Sequence, residues 1–450
     1  MADLVKSRVD GLSAWPEAAR LLARWLATRE RIDRMMEEAA PGLDGAERAR
    51  FQHLVFGVIR HALRLETALQ RNVAHPPRFV TRAALFLAGF ELIEGTGETA
   101  KIVHHAVEQA KSLASPAEAR LVNAVARKMA ETLRNQPEPP VFSPADTLAE
   151  FYSHPVWLVR RWLALFGAES THALLAWNQR TAPVFARWRP AGSAPAPSWF
   201  KATPWPGFFE VPSGRWADVG PLLRLGHVYL QDPATRIPIE LLAPKAGEAA
   251  LDVCAAPGGK SLQMADAMAE SGPVPESSGR GETAAGAGGL VVSLDLPGGR
   301  IGRLKENLAF VRGVRTEIVT GDLGRDLART LKERSLPLEY SAVLADVPCS
   351  NTGVMRHRID VKWRLQEGDF RKHARQQLEI LAAAARFVAP NGRLVYSTCS
   401  IDPEENSKVV EAFLRKSQDR FELVASKESF PWKDGHDGGG AFLLRLKSGN

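Results

Sequence analysis

From about residue 238 to the end of this 450-residue chain, short apolar runs alternate with amphipathic stretches, and that alternation narrows the possible folds more than any other feature. Candidate strands fall at residues 249–254, 290–295, 316–320, 342–346 and 393–397, with a late antiparallel pair near 421–424 and 442–446. The spacing predicts helices over about 259–269, 300–311, 370–388 and 404–415. Strands and helices in this order specify an α/β fold with a mostly parallel, doubly wound sheet. Open sheets of that kind take their ligands outside the carboxyl ends of the strands, so the residues just past each run matter most.

Two of the chain's three cysteines stand at such places. Cys349 lies in Asp346-Val347-Pro348-Cys349-Ser350, and Cys399 in Tyr396-Ser397-Thr398-Cys399-Ser400. A cysteine is most often a small buried hydrophobe. Two cysteines and an aspartate ending neighbouring strands are harder to explain as packing. A thiolate there can add to an electron-poor ring, and the Asp346 carboxylate can steer that ring. Upstream, Asp252-Val253-Cys254-Ala255-Ala256-Pro257-Gly258-Gly259-Lys260 reads as a strand, a glycine turn and a helix start. Such a turn lets backbone approach a ligand and points amide hydrogens at it. Cys254, inside the turn, is expected to pack or make contact rather than react. Asp295 ends the next strand, where a carboxylate can accept hydrogen bonds from two ribose hydroxyls. Asp322, past the third strand, can receive an adenine amino group or serve as a solvated turn residue. No clear Gly-x-Gly-x-x-Gly pattern is present, which argues against a dinucleotide. Together these features suggest covalent catalysis beside a nucleotide-like cofactor. The loop Arg356-His357-Arg358-Ile359-Asp360-Val361-Lys362-Trp363 follows, and its cations and tryptophan suit phosphate contact and base stacking. His104 and His105 sit on a helix and need no special role.

The first part of the chain reads as an all-α bundle. One helix is expected over 17–38 and a second after Asp44, which can cap it with Glu47 three residues on and whose apolar stripe continues to Leu69. Two more cover 78–94 and 99–113. Ser115-Pro116-Ala117-Glu118 opens another that runs to about Arg134: a capping serine, proline in the first turn, and a glutamate reaching back. Residues 135–140, rich in proline, form a linker. Two helices carrying Trp157, Trp162 and Trp177 over 155–179, then short strands over 183–232, are expected to make a small α+β module. The Gly/Ser/Ala-rich stretch 270–289 is expected to be a disordered insertion. The resulting segments are 1–136, 145–235 and 236–450.

A net charge of +7 favours a polyanionic partner. The amino terminus lacks the apolar core of a secretory signal, and no apolar run is long enough to span a bilayer. No membrane partner is therefore expected, and a reducing cytoplasm would keep catalytic thiols free. An odd number of cysteines in no ligand-like spacing argues against a disulfide framework and a metal site. A monomer is expected.

In these motifs the sequence resembles the RNA (cytosine-5) methyltransferases, specifically their bacterial Sun/Fmu (RsmB-type) branch. The resemblance is carried by Leu251 to Lys260, by Asp346 to Ser350 with Thr352-Gly353, and by Tyr396 to Ser400; Gln231-Asp232 and Asp360 to Trp363 also fit. Residues 50–71 and 121–127 are similar to the NusB-like RNA-binding domain of that branch. The resemblance implies a Rossmann-like class I methyltransferase domain preceded by a NusB-like bundle and a small RNA-binding module. It implies S-adenosylmethionine as donor, held by Cys254, Ala255, Ala256, Pro257, Gly258, Gly259 and Lys260, with Asp295 at the ribose, Asp322 at the adenine and Asp346 near the methionine end and the target base. It implies that Cys399 attacks C6 of a flipped-out cytosine, that Asp346 holds the ring N3, and that Cys349 assists loss of the C5 proton and release of product. Small-subunit ribosomal RNA is the implied partner and tRNA the alternative, gripped by the bundle and the Trp-rich module. DNA cytosine-5 enzymes use the proline–cysteine thiol as nucleophile, which would make Cys349 the attacker. A non-catalytic ribosome-assembly factor on the same fold is the rival from another class. The chain departs from the family pattern at Val347, Asn351, Arg358 and Pro297-Gly298-Gly299.

Overall fold

The computed structural model describes residues 13–39, 41–95, 97–189, 195–270, 289–418 and 420–447. The expected disordered insertion falls, but for its two end residues, outside the described residues. Contacts gather the chain into two units: the described residues up to Thr181 with Met355–Glu367, and Ala182–Val354 with Gly368 onward. This grouping differs from the three segments read from the sequence. The Trp-bearing helices go with the bundle, and the short strands go with the parallel sheet. Among the described residues no helix is long and apolar enough to cross a membrane.

The helical unit contains Ala14–Thr28, Ile32–Glu38, Gly45–Arg60, Ala62–Gln70, Phe79–Glu94, Thr99–Leu113, Pro116–Arg134, Ala145–Phe151 and Val156–Gln179. Phe79–Glu94 buries every residue from Ala83 to Phe90, so its sequence is apolar on all sides and the other helices pack around it. The capping box at Ser115 and Glu118 forms as its sequence predicts. Asp44 also caps its helix, accepting from the Glu47 amide at 2.9 Å. The Glu47 carboxylate does not reach back; it accepts from the Ala14 amide at 2.7 Å, a tertiary partner that local sequence cannot announce. Two expected long helices are each divided. The first breaks at Arg29, whose backbone is left-handed (φ 53°) and whose guanidinium lies 4.2 Å from the centre of the Trp25 ring. The second breaks at half-buried His61. Within Val156–Gln179, Gly167 takes φ 76° and ψ 176°, outside the helical region, so the span is two helices meeting at a kink, as its sequence predicts.

Met355–Glu367 is a strap buried in this unit. Ile359 joins the bundle core, the Asp360 carboxylate accepts from the Ile32 amide at 3.2 Å, Lys362 Nζ donates to the Arg60 carbonyl at 2.9 Å, and Trp363 Nε1 donates to the Ile59 carbonyl at 2.8 Å. Arg356 is buried and stacks on Trp177 at 3.9 Å. The expectation that this loop contacts phosphate and bases is corrected for Arg356, Lys362 and Trp363, which are committed to the bundle, while His357 and Arg358 are exposed. Trp162 is likewise fully buried and packs rather than grips a ligand.

The second unit carries two sheets. A small antiparallel sheet joins β1 (Phe185–Trp188), β2 (Lys201–Ala202), β3 (Phe208–Glu210) and β4 (Val228–Leu230) in the order β2-β3-β1-β4. Asp266 ties it to the larger layer by accepting from Arg187 and Arg189, all three buried. The larger sheet contains β5 (Ala249–Asp252), β6 (Leu290–Asp295), β7 (Arg315–Thr320), β8 (Tyr340–Asp346), β9 (Val388–Thr398), β10 (Phe421–Ser429) and β11 (Gly439–Leu446), ordered β10-β11-β9-β8-β5-β6-β7. The five strands from β9 to β7 are parallel, and β10 and β11 add an antiparallel edge. Central strands such as β8 are apolar and buried along most of their length, as parallel strands covered on both faces must be. Helices Trp216–Arg224, Arg236–Leu242 and Leu327–Glu333 were not expected from the sequence; all are nine residues or shorter. Strand order reverses between β5 and β8, and the crevice at that point opens above Asp252, Asp346 and the end of β9.

Candidate active site

Asp346 is the last residue of β8 and lies opposite Ser397 in β9. Parallel pairing therefore delivers both side chains to one edge, where Ser397 Oγ donates to Asp346 Oδ1 at 2.7 Å. The other carboxylate oxygen accepts from Lys260 Nζ at 2.7 Å. Lys260 comes from the turn after β5, so one ion pair joins the glycine turn to the proline–cysteine loop. Burial works to lower the Lys260 ammonium, but the adjacent Asp346 carboxylate outweighs it and the shift is upward.

Beyond Asp346 the two cysteine loops are knitted together. Cys349 Sγ and Cys399 Sγ lie 3.2 Å apart. Asn351, in the left-handed region at φ 61°, donates Nδ2 to the Cys349 carbonyl at 2.8 Å and accepts from the Cys399 thiol at 3.3 Å. Gly353 donates its amide to the Cys399 carbonyl at 3.0 Å and accepts from Gly438 at 2.9 Å. A Cβ on Gly353 would come within 2.3 Å of the Gly438 carbonyl, so no larger residue fits between these loops. One side-chain amide thus joins the Cys349 backbone carbonyl to the Cys399 sulfur.

Beneath the thiols lies Glu405, fully buried. One oxygen accepts from the Ser350 amide at 2.9 Å and from Gln377 Nε2 at 3.0 Å; the other accepts from Ser350 Oγ. The Tyr396 hydroxyl donates to the Glu405 carbonyl. Burial raises the pKa of the Glu405 carboxyl, with the Ser350 bonds pulling the other way. Glu405, Ser397 and Asn351 were missed by sequence reasoning. The only available signal was the acidic run Asp402 to Glu405, three residues past a motif cysteine, where a solvated turn would read the same way.

The two thiols differ in exposure. Cys399 is half-buried and lines a pocket together with Asp346, Lys260, Ser397, Thr398 and Asp232. Cys349 is 7% exposed and is not part of that lining. The hydrogen bond from Cys399, burial and the negative charge of Cys399 and Glu405 all push the Cys349 thiol upward, so it keeps its proton. Cys254 is also pushed up, by burial first and then by Asp252, Asp295 and Asp346.

The glycine turn and the end of β6 form a second recess. Asp295 Oδ2 accepts from the Ala256 amide and Oδ1 from the Leu296 amide, both at 2.8 Å, which fixes the carboxylate and leaves further lone pairs. Asn307 Nδ2 holds the turn through the Pro257 carbonyl at 2.7 Å. Asp322 is exposed, and its Oδ1 accepts from the amides of Gly324 and Arg325. These bonds shape a turn. These donors and acceptors fit an adenosyl group, because a fixed carboxylate suits a ribose diol and the glycine turn opens the helix start at Gly259.

Asp252, at the end of β5, is fully buried and accepts from Ser261 Oγ at 2.6 Å. Burial pushes its pKa up to about 7; the Ser261 bond opposes that and the Asp346 charge adds to it. A carboxyl raised in the folded state favours folding at low pH, and that contribution is lost as pH rises through about 7. Asp252→Asn is therefore expected to gain stability over the parent by roughly 3 kcal/mol between pH 5 and pH 7.5, read from urea midpoints. An unchanged difference across that range would refute the burial argument.

A mostly parallel sheet with this strand order, a glycine turn after β5 and acidic strand ends defines a Rossmann-like methyltransferase. Residues 282–437 match the family model described as 16S rRNA methyltransferase RsmB/F, and residues 16–131 match the NusB family. The ribosomal RNA small subunit methyltransferase B of Salmonella arizonae is 30% identical over 392 residues, 83% of either chain. Its counterpart from Sodalis glossinidius is 31% identical over 421 residues, 89% of either chain. The crystal structure of PH0851 superposes with a TM-score of 0.71 at 20% identity, covering 96% of this chain and 99% of that one. The chain belongs to the RsmB/F family of 16S rRNA methyltransferases. Its methyl donor is S-adenosylmethionine.

Proposed function

We propose that the chain methylates C5 of a cytosine in small-subunit ribosomal RNA through a covalent bond between Cys399 and C6. The observation that carries this reading is the placement of the two sulfurs, 3.2 Å apart with only Cys399 lining the pocket. A cytosine flipped into that pocket would meet Cys399 at C6 and Asp346 at its N3 edge. Lys260 and Cys399 interact electrostatically, which suits the ammonium to balancing charge on the sulfur. Attack at C6 makes C5 nucleophilic, and Asp346, braced by Lys260 and Ser397, keeps the ring in line. The donor, held by Cys254 to Lys260 with Asp295 at the ribose and Asp322 beside the adenine, supplies an electrophilic methyl group.

Cys349 serves the last step. In the free site it holds its proton partly because of the bond and charge from Cys399. Once Cys399 is tied up in a carbon–sulfur bond, both influences vanish and Cys349 becomes easier to ionise. After giving its own proton to water, the Cys349 thiolate can take the C5 proton; the released electron pair re-forms the C5–C6 double bond and expels Cys399 as a thiolate. The names of the relatives support ribosomal RNA as substrate, and the net charge of +7 suits a nucleic acid. The test is transfer of labelled methyl groups to unmodified small-subunit rRNA, with the product mapped as 5-methylcytosine. Transfer to tRNA alone would move the substrate, and cofactor binding without transfer to either RNA would support a non-catalytic assembly factor.

A further inference from the structure

The pocket above Cys399 is acidic inside. Asp232, Asp346 and Asp437 line it, and Lys260 is paired with Asp346. An anionic group is therefore repelled from its depth. One other cation lines it: Lys427, on the edge strand β10. Side chains alternate along a strand, so Lys427 and Ser429 share a face, and across the ladder they lie opposite Ala441 and Gly439, which also line the pocket. Ser429 is buried and donates to the Asp437 carbonyl, whereas Lys427 is exposed. Among the described residues Lys427 has no hydrogen-bond or ion-pair partner. An exposed, unpaired lysine thus shares the lining of this pocket with the half-buried Cys399.

We infer that Lys427 binds a backbone phosphate of the flipped nucleotide, holding the chain at the pocket mouth while the base reaches Cys399. This rests on the proposed attack on a nucleobase. A nucleotide in this pocket has an uncharged base to put among the carboxylates and a phosphate that must stay outside them. Lys427 meets the second need, and Lys260, tied to Asp346, cannot. A phosphate contact carries no sequence information but fixes where the base sits. Lys427 is a positioning residue and touches no reacting atom.

The test uses the full chain with in vitro transcribed small-subunit rRNA and the variants Lys427→Ala, Lys427→Glu and Lys427→Arg. Lys427→Ala is expected to raise KM for RNA about tenfold with kcat within about twofold, the loss of one charge-assisted contact. Lys427→Glu is expected to raise it further, and Lys427→Arg to restore it. The slope of log affinity against log salt should become shallower by about 0.7 in Lys427→Ala, as for one lost phosphate contact on a single strand. Donor affinity should not change. An unchanged KM and salt slope in Lys427→Ala, or a loss confined to kcat, would overturn the assignment. If the parent chain binds RNA but transfers no methyl group, the cytosine reading fails instead. Lys427 is then judged by the salt slope of binding alone, which must still become shallower.

Discussion

Cys399→Ala is expected to lower methyl transfer by a factor on the order of 10⁴ or more, and to abolish any covalent complex with RNA containing 5-fluorocytosine. Cys349→Ala is expected to form that complex and to accumulate one on ordinary RNA, visible as a species that resists denaturing electrophoresis. Its turnover should fall by about 10²–10³, the range for loss of a positioned proton acceptor. The asymmetry follows from burial. Cys399 faces the pocket, while Cys349 sits 3.2 Å behind it with its proton held by its neighbour. The opposite pattern, with adducts surviving Cys399→Ala and lost in Cys349→Ala, would assign attack to the proline–cysteine thiol as in DNA cytosine-5 enzymes. Loss of adducts in both variants would instead point to disruption of the shared loop.

Glu405→Ala is expected to cost about 3–5 kcal/mol of stability, because it leaves the Ser350 amide, the Ser350 hydroxyl and the Gln377 amide without their buried acceptor. Glu405→Gln should cost only about 1 kcal/mol. Its carbonyl oxygen can keep two of the donors, and its amide can donate to Ser350 Oγ, whose own proton can turn to Ser400 or Thr352. Thermal unfolding separates the two variants. A kinetic readout separates bracing from bulk stability: below the melting range, Glu405→Ala should lower kcat at unchanged donor affinity, since the loop it braces carries Cys349 and Asn351. Equal losses in both variants would show that the charge, and not the set of accepted hydrogen bonds, holds the loops.

Burial raises the Asp252 carboxyl and, after the bond from Cys399, the Cys349 thiol. Asp252 is pushed up to about 7 by burial that also excludes water from the end of β5. A site that dry strengthens the Lys260–Asp346 pair and each hydrogen bond around Glu405.

The alternating runs from residue 249 onward determined the parallel sheet, because a strand buried on both faces must be apolar throughout and a covering helix must repeat at its own period. The same runs placed Asp295, Asp346 and Cys399 at strand ends, since a strand delivers the residues after its last apolar position to the sheet edge. The capping box at Ser115 was equally legible, being a matter of four consecutive residues. What depended on partners distant in the chain was not legible. The break at Arg29 goes with a second helix whose first amide is met by Asp360, more than three hundred residues on. The strap Met355–Glu367 read as a basic ligand-binding loop because charge and aromaticity look alike on a surface and in a crevice; only packing revealed that Lys362 and Trp363 are spent on the carbonyls of Arg60 and Ile59. Glu405 read as one more acid in a polar turn. Tertiary structure alone decided that it is buried under two thiols, and that one of those thiols faces the pocket while the other stands behind it, because burial is a property of neighbours and not of residue type.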